Sequence, residues 1–326
     1  MRTPFAWIAE RVTLGPRALR WGTTAALLVS ILIIFTGGVV RVTGSGLGCP
    51  TWPTCDGESI SAPVSLGIHG AIEFGNRALT GILIIAVGWA IVAARLQKPR
   101  NKAITRLAWS QFWLVVVNAI AGGISVLAQL NPWVVAMHFL LAIGLLTTTT
   151  LTWHRAREKP VLGELPGATP KTLAWALLVC TAVLVVVGTL VTGSGPHSGD
   201  SADVPRMGFV WEHVTVVHAV LGTATVVIAI LLWISLRGAG QAALARRRVL
   251  FFLALTVLQG GIGTVQALSG LPELLVALHL LGAALVWIGA IRVLLDANPR
   301  LFPAVQRIPR DDEVDAVTTP VESQAL

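Results

Sequence analysis

Eight apolar stretches of about 20 residues run along this chain, each long enough to cross the hydrocarbon core of a bilayer as a helix. They lie at 22–42, 72–94, 108–127, 133–153, 173–191, 211–234, 249–268 and 271–294. With 54% of its residues hydrophobic and 12% charged, the chain is excluded from the ordinary soluble globular class. The first stretch is too long for the apolar core of a typical signal peptide, and seven more follow it, so it reads as a retained helix. The expected fold is an all-α integral membrane protein with eight transmembrane helices.

A net charge of +8 raises the question of nucleic acid, but the basic residues form no contiguous patch, and no nucleic-acid partner is expected. They fall instead into short segments between alternate spans: Arg2, Arg11, Arg17 and Arg20; Arg95 to Arg106; Arg155 to Lys171; Arg237 to Arg248; and Arg292 to Arg310. Of 24 Lys and Arg residues, all but three lie on that side, which orients the chain with both termini cytoplasmic and the even-numbered spans running inward. Arg206 is the clear exception, while Arg41 and Arg77 sit at or inside helix ends. Residues 158–171 are polar, hold three prolines and read as a cytoplasmic linker; residues 297–326 end in an acidic stretch and read as a disordered cytoplasmic tail.

The linker separates two halves, 1–157 and 172–296, that echo one another. Val42-Thr43-Gly44-Ser45-Gly46 recurs as Val191 to Gly195, and the offset between these copies also carries His69 onto His218. Gly122-Gly123-Ile124 and Pro132 before His138 are echoed by Gly260-Gly261-Ile262 and Pro272 before His279. Each half holds an even number of spans, so the two four-helix bundles share one orientation and are related by a pseudo-two-fold axis along the membrane normal.

Of the four histidines, His138, His218 and His279 each lie in a separate even-numbered span, and His69 stands at the start of the second. On this topology all four lie toward the outer side at similar depth, which makes them candidate axial ligands for two haem irons, one per half. Gly70, Gly75, Gly81, Gly144, Gly222 and Gly282 lie near them in sequence and would let a macrocycle approach. The plain alternative for any one of them is a polar interhelical hydrogen bond. Zinc is disfavoured, since no Cys, Asp or second His stands at ligand spacing on those helices. His154 and His213 read as interfacial, and His197 as an outer-loop residue able to reach a propionate.

Glu73 stands four residues after His69 and four before Arg77. A carboxylate inside a span is a functional candidate by default, here a catalytic one, and an intrahelical ion pair with Arg77 is the plain alternative. Its counterpart in the other half is Gly222, so one half is expected to do chemistry and the other to transfer electrons. Cys49 and Cys55 flank five residues of the first outer loop on the oxidising side and are expected to form a disulfide, either a loop staple or redox-active; Cys180 reads as a packed thiol.

The run Thr43 to Cys55, with its Gly-rich start and paired cysteines, followed by Ile72-Glu73-Phe74-Gly75-Asn76-Arg77, resembles the haem A synthases of the CtaA family. The resemblance extends over all eight spans. It implies conversion of haem O to haem A for cytochrome oxidase, by two hydroxylations of a porphyrin methyl group and loss of water. It implies a haem b cofactor on His218 and His279, a substrate haem in the amino-terminal half beside Glu73, haem O synthase as the upstream partner, an electron acceptor of unidentified nature, and a possible homo-oligomer. One departure matters: where familiar members carry a histidine just before the arginine of the second span, this chain has Asn76. Either His69 substitutes as ligand, or His138 holds the substrate iron alone. A second Cys pair found in some members is missing between Gly193 and Met207. Two rival readings predict different behaviour: a quinol-oxidising haem b electron-transfer protein would leave haem chemistry unchanged, and a small-molecule transporter with a histidine proton relay would purify colourless.

Overall fold

A computed structural model describes residues 4–157, 167–197, 199–200, 204–237 and 242–301. The described residues form nine α-helices: α1 (Pro4–Arg11), α2 (Pro16–Val42), α3 (Gly67–Arg95), α4 (Lys102–Leu127), α5 (Pro132–Arg155), α6 (Ala168–Ser194), α7 (Trp211–Ser235), α8 (Ala242–Leu268) and α9 (Glu273–Ala297). All but α1 are long and apolar enough to cross a membrane, as the sequence indicated. Several start earlier than the apolar run suggested, because polar caps extend them into the interface. Pro16 opens α2, where its missing N–H costs nothing. Asn101 accepts hydrogen bonds from the Ala103 and Ile104 amides, and Asn131 accepts one from the Trp133 amide. Helix α6 begins at Ala168, so the last residues of the expected linker are helical; Pro170 falls in the first turn, where proline is tolerated. The rest of the linker up to residue 166, and the tail beyond residue 301, lie outside the described residues.

The same neighbour pattern occurs twice. Helix α2 packs on α3 and α5, and α4 packs on the same two, closing a ring of four in which α3 and α5 face each other diagonally. Helices α6 to α9 repeat this, with α7 and α9 on the diagonal. The rings meet where α9 packs on α2 and α5, and α5 on α6, so α5 and α9 stand at the centre of the molecule. That arrangement accords with the expected pseudo-symmetry.

Burial is uneven along the membrane normal. The core of the second ring gathers Leu177, Leu232, Val249, Phe252 and Val293, and that of the first gathers Leu83, Val87, Ile104 and Leu145. These residues come from the halves of their helices nearer Arg95, Arg155, Ser235 and Ala297, and in α7 the buried positions are only Thr225, Ala229 and Leu232. The four histidines sit toward the other ends of their helices; in the first ring that end is also buried, at Val42, Glu73, Ala121 and Val126, whereas α7 has no buried position there.

The outer loops then tie the rings together. The Gly46 amide donates to the Gly199 carbonyl at 2.7 Å, the Leu47 amide to Asp200 at 3.2 Å, and Arg41 to the Thr192 carbonyl at 2.8 Å. The first copy of the repeated pentapeptide contributes the Gly46 amide to these bonds and the second the Thr192 carbonyl; their other partners flank the copies. Deeper in, the Trp287 indole N–H donates to Thr147 Oγ1 at 2.8 Å across the interface.

Candidate functional site

In the second ring, His218 on α7 and His279 on α9 face each other across the diagonal with ring centroids 6.3 Å apart. A metal–imidazole bond is about 2.0–2.1 Å and a ring nitrogen lies about 1.1 Å from its ring centre, so a shared metal sets the centroids about 6.2–6.4 Å apart. This spacing suits bis-histidine haem ligation.

What lets the rings stand there is a glycine on the helix before each. A Cβ on Gly188 of α6 would lie 3.2 Å from Cε1 of His218, and one on Gly263 of α8 would lie 3.3 Å from Cε1 of His279. Both glycines press on the Nδ1–Cε1 edge, which leaves Nε2 as the nitrogen that can reach a metal. The Nδ1 atoms are buried and have no hydrogen-bond partner among the described residues. Gly263→Leu should therefore displace His279. Its haem content per protein, read from the Soret band, should fall at least tenfold, whereas Gly260→Leu, where a side chain meets nothing within 4 Å, should leave it unchanged.

The first ring repeats one element of this. Gly122 of α4 faces His138 of α5, with a Cβ there 3.1 Å from Cε1. The offset from Gly122 to Gly263 is the same as that from His138 to His279. The sequence echo that aligned Gly122 with Gly260 was thus about one helical turn out of register, and the glycines that matter are on the preceding helix. Of those named from proximity in sequence, Gly75, Gly81 and Gly222 have nothing near a built Cβ, and Gly282 faces Gln259.

His69 differs from the other three. Measured from the helix ends at Arg155, Ser235 and Ala297, His138, His218 and His279 stand about 26 Å along their helices at the usual rise per residue. His69 stands about 39 Å above Arg95, in the first turn of α3. It is also seven positions before Asn76, about 10 Å nearer the outer surface. The expectation of four histidines at one depth is corrected to three. His69 is exposed, and its Nδ1 pairs with Ser45 Oγ at 2.9 Å. At the depth of His138, α3 presents Asn76, about 28 Å above the same helix end. Its Oδ1 accepts from Thr36 Oγ1 at 2.7 Å. Among the described ring contacts, none joins His69 to His138.

Above this ring sits the cysteine loop. Cys49 and Cys55 form a disulfide with Cα atoms 4.4 Å apart. Glu73, 5% exposed, anchors the loop: one oxygen accepts from the Cys49 amide at 2.6 Å and the other from Arg77 at 2.5 and 3.1 Å. Arg77 spends its remaining donors on the carbonyls of Cys49, Thr51 and Thr54 at 3.0, 2.9 and 3.1 Å. The ion-pair reading of Glu73 came from its spacing to Arg77, and the geometry supplies that pair together with a loop contact that spacing alone did not reveal. Trp52 at the loop tip packs on Gly123, so the adjacent glycines of α4 serve different partners, His138 and the loop. At the exposed end, Asp56 accepts from the amides of Ser59 and Glu58, which hold its carboxyl below the usual range.

The remaining candidates have structural partners. His197 bonds the Leu271 carbonyl at 2.8 Å, pinning the loop after α6 to the α8–α9 turn, and the Cys180 thiol lies 3.4 Å from Thr225 Oγ1.

A family model for a cytochrome oxidase assembly protein, COX15-CtaA, matches residues 20–65 and 68–291. The chain is similar to a heme A synthase of Staphylococcus saprophyticus, 25% identical over 229 residues that cover 62% of this chain and 75% of the relative. It is 33% identical to one of Lysinibacillus sphaericus over 135 residues, 41% of this chain and 43% of that protein. With one of Exiguobacterium sibiricum it shares 32% identity over 174 residues, 51% of this chain and 56% of the relative.

Proposed function

The chain belongs to the COX15-CtaA family of cytochrome oxidase assembly proteins, and from that premise we propose that it is a haem A synthase, a multi-pass membrane oxidoreductase that converts haem O to haem A. The observation that carries the assignment of parts is the asymmetry between the rings. Among the described residues, the second ring has two facing imidazoles backed by glycines and no buried carboxylate, which suits a resident haem b held by His218 and His279. Bound there, haem b supplies one-electron transfer, and the protein sets its position and surroundings.

The first ring has one deep histidine, His138, opposite Asn76, with the Glu73–Arg77 pair and the disulfide loop above them. It is the site we assign to haem O. His138 orients the substrate through its iron, the loop held by Glu73 and Arg77 closes the outer mouth over the porphyrin, and the Asn76 side leaves one axial position without a protein nitrogen. Glu73 has both oxygens engaged, so its role is to position the loop and hold negative charge next to the substrate ring. A haem held by His218 and His279 would supply one-electron transfer between the first ring and an electron acceptor of unidentified nature. Haem O synthase is the partner that supplies the substrate, and both termini lie on the cytoplasmic side, where the basic segments cluster.

Co-expression with a source of haem O, followed by chromatography of extracted haems, tests this directly. Haem A should appear with the wild-type chain and be absent with His279→Ala. A preparation that carries two haem b groups and never changes the haem profile would point to the electron-transfer reading instead, and a colourless one would sink both.

A further inference from the structure

Arg17, Arg20, Trp21 and Thr24 of α2, with Trp153 and Arg157 at the end of α5, line an open cleft of about 440 Å³. Trp153 is about 22 Å along α5 from His138, at the end of the first ring remote from the cysteine loop. Positions 17, 20, 21 and 24 recur at three and four residues and so share one face of α2. Arg157 forms the opposite wall and is fixed there. Its Nη1 donates to Thr23 Oγ1 and to the Trp153 carbonyl, each at 3.1 Å, and its Nη2 to the Arg20 carbonyl at 2.6 Å and to Thr24 Oγ1. Its guanidinium lies 4.7 Å over the Trp153 ring, and that of Arg292 lies 4.9 Å over the same ring.

All four of these acceptors are neutral, so the Arg157 charge is held in place without being cancelled. Among the described residues no carboxylate pairs with Arg17, Arg20 or Arg157. Three cations around one cleft repel one another unless an anion sits among them. Where the cleft opens decides which anion suits it. Trp7 and Ile8 of α1, which leads into α2, are exposed at this end, and so is Trp21 at 72%, the level that tryptophan takes between headgroups and hydrocarbon. From Trp21 the same face of α2 runs on through Leu28 and Leu32, both exposed. A cationic cleft with an apolar track leading from it matches the head and tail of a phospholipid, and a free phosphate would use only the first.

We propose that this cleft is a binding site for the headgroup of an anionic phospholipid, its phosphate among Arg17, Arg20 and Arg157 and an acyl chain along Leu28 and Leu32. Arg17 and Arg20 supply the N–H donors, Arg157 the fixed charge, and Trp21 the interfacial ring. The bound lipid joins the start of α2 to the end of α5, a noncovalent staple at the opposite end of the ring from the disulfide. A carboxylate of the linker, Glu158 or Glu164, both outside the described residues, is the rival occupant and would leave the cleft indifferent to lipid charge.

Native mass spectrometry of the full chain, mixed in detergent with equal amounts of phosphatidylglycerol and phosphatidylcholine, tests the site. One phosphatidylglycerol should stay bound in preference to phosphatidylcholine; no preference in the wild type overturns the proposal. Arg17→Gln with Arg20→Gln should weaken that adduct about tenfold or more, since each basic side chain at an anionic surface contributes roughly fivefold. Lys102→Gln with Arg106→Gln removes two exposed charges at the same end and should leave the adduct unchanged. Equal loss in the two pairs would mean diffuse surface charge and overturn the site. Inorganic phosphate in excess should fail to displace the lipid; displacement as complete as that by free phosphatidylglycerol would make the cleft a phosphate site and overturn the lipid reading. Should the arginine pair fail to fold, Trp21→Glu sets a carboxylate at the exposed mouth and carries the same reading: loss of the adduct supports the proposal, and retention overturns it.

Discussion

Arg77→Ala should cost about 3–5 kcal/mol of stability and release the cysteine loop, because removing one member of a buried ion pair leaves the other charged and unpaired. Glu73 is the group left behind, 5% exposed, with one oxygen still on the Cys49 amide and the other without its cation. Three loop carbonyls lose their donor in the same step. The disulfide survives, so the loop stays closed on itself but is no longer held to α3. Hydrogen exchange across residues 49–55 should rise sharply, and haem A output should fall more than tenfold while haem b in the second ring is retained. Arg77→Lys should rescue little, since an ammonium restores the charge but cannot fork to Glu73 and three carbonyls at once. The paired change Glu73→Gln with Arg77→Met removes both charges and should recover most of the stability without the loop contacts. If that double variant restored stability and haem A output together, the carboxylate and the clamp would both be dispensable to the chemistry.

Much of this molecule can be read from its sequence, and the exceptions have a common cause. The eight spans follow from length and hydropathy, and the facing of His218 and His279 from repeat and topology. What escaped was contact between helices. Gly122, Gly188 and Gly263 matter because of what lies opposite them on the next helix, and no pattern along their own helices marks them. One signal was available: Gly122 precedes His138 by the same interval that separates Gly263 from His279. The depth of His69 escaped for another reason. The apolar run of the second span starts near Ile72, but the helix begins at Gly67, and Ser45, in the loop that follows α2, captures the imidazole. The pentapeptide offset carries His69 onto His218 in sequence, while the longer cysteine loop places them at different heights. The Glu73–Arg77 pair was visible from spacing, yet the loop carbonyls that Arg77 gathers were not, since main-chain acceptors leave no mark on a sequence.

Asn76→His separates the two ways the substrate iron can be held, and its effect should be all-or-none in the spectrum. Position 76 stands level with His138 across the ring, and its present amide is tied to Thr36. An imidazole there would complete a pair like that of the second ring. Haem bound in the first ring of the wild type should show one imidazole ligand, a high-spin signature, and in Asn76→His it should convert to the low-spin form with two. His69→Ala should leave the wild-type spectrum unchanged, because a ring in the first turn, bonded to Ser45 and about 10 Å nearer the surface, lies off the iron's axis. A low-spin wild type that turned high-spin in His69→Ala would reverse the assignment and make His69 the second ligand. Thr36→Val serves as the control, since it removes the hydroxyl on Asn76 without adding a ligand and should leave the iron high-spin. The same substitution at Asn76 should also slow haem loss from the first ring. Two imidazoles hold an iron that one lets go, and a site that must pass its haem on has reason to keep an amide at this position.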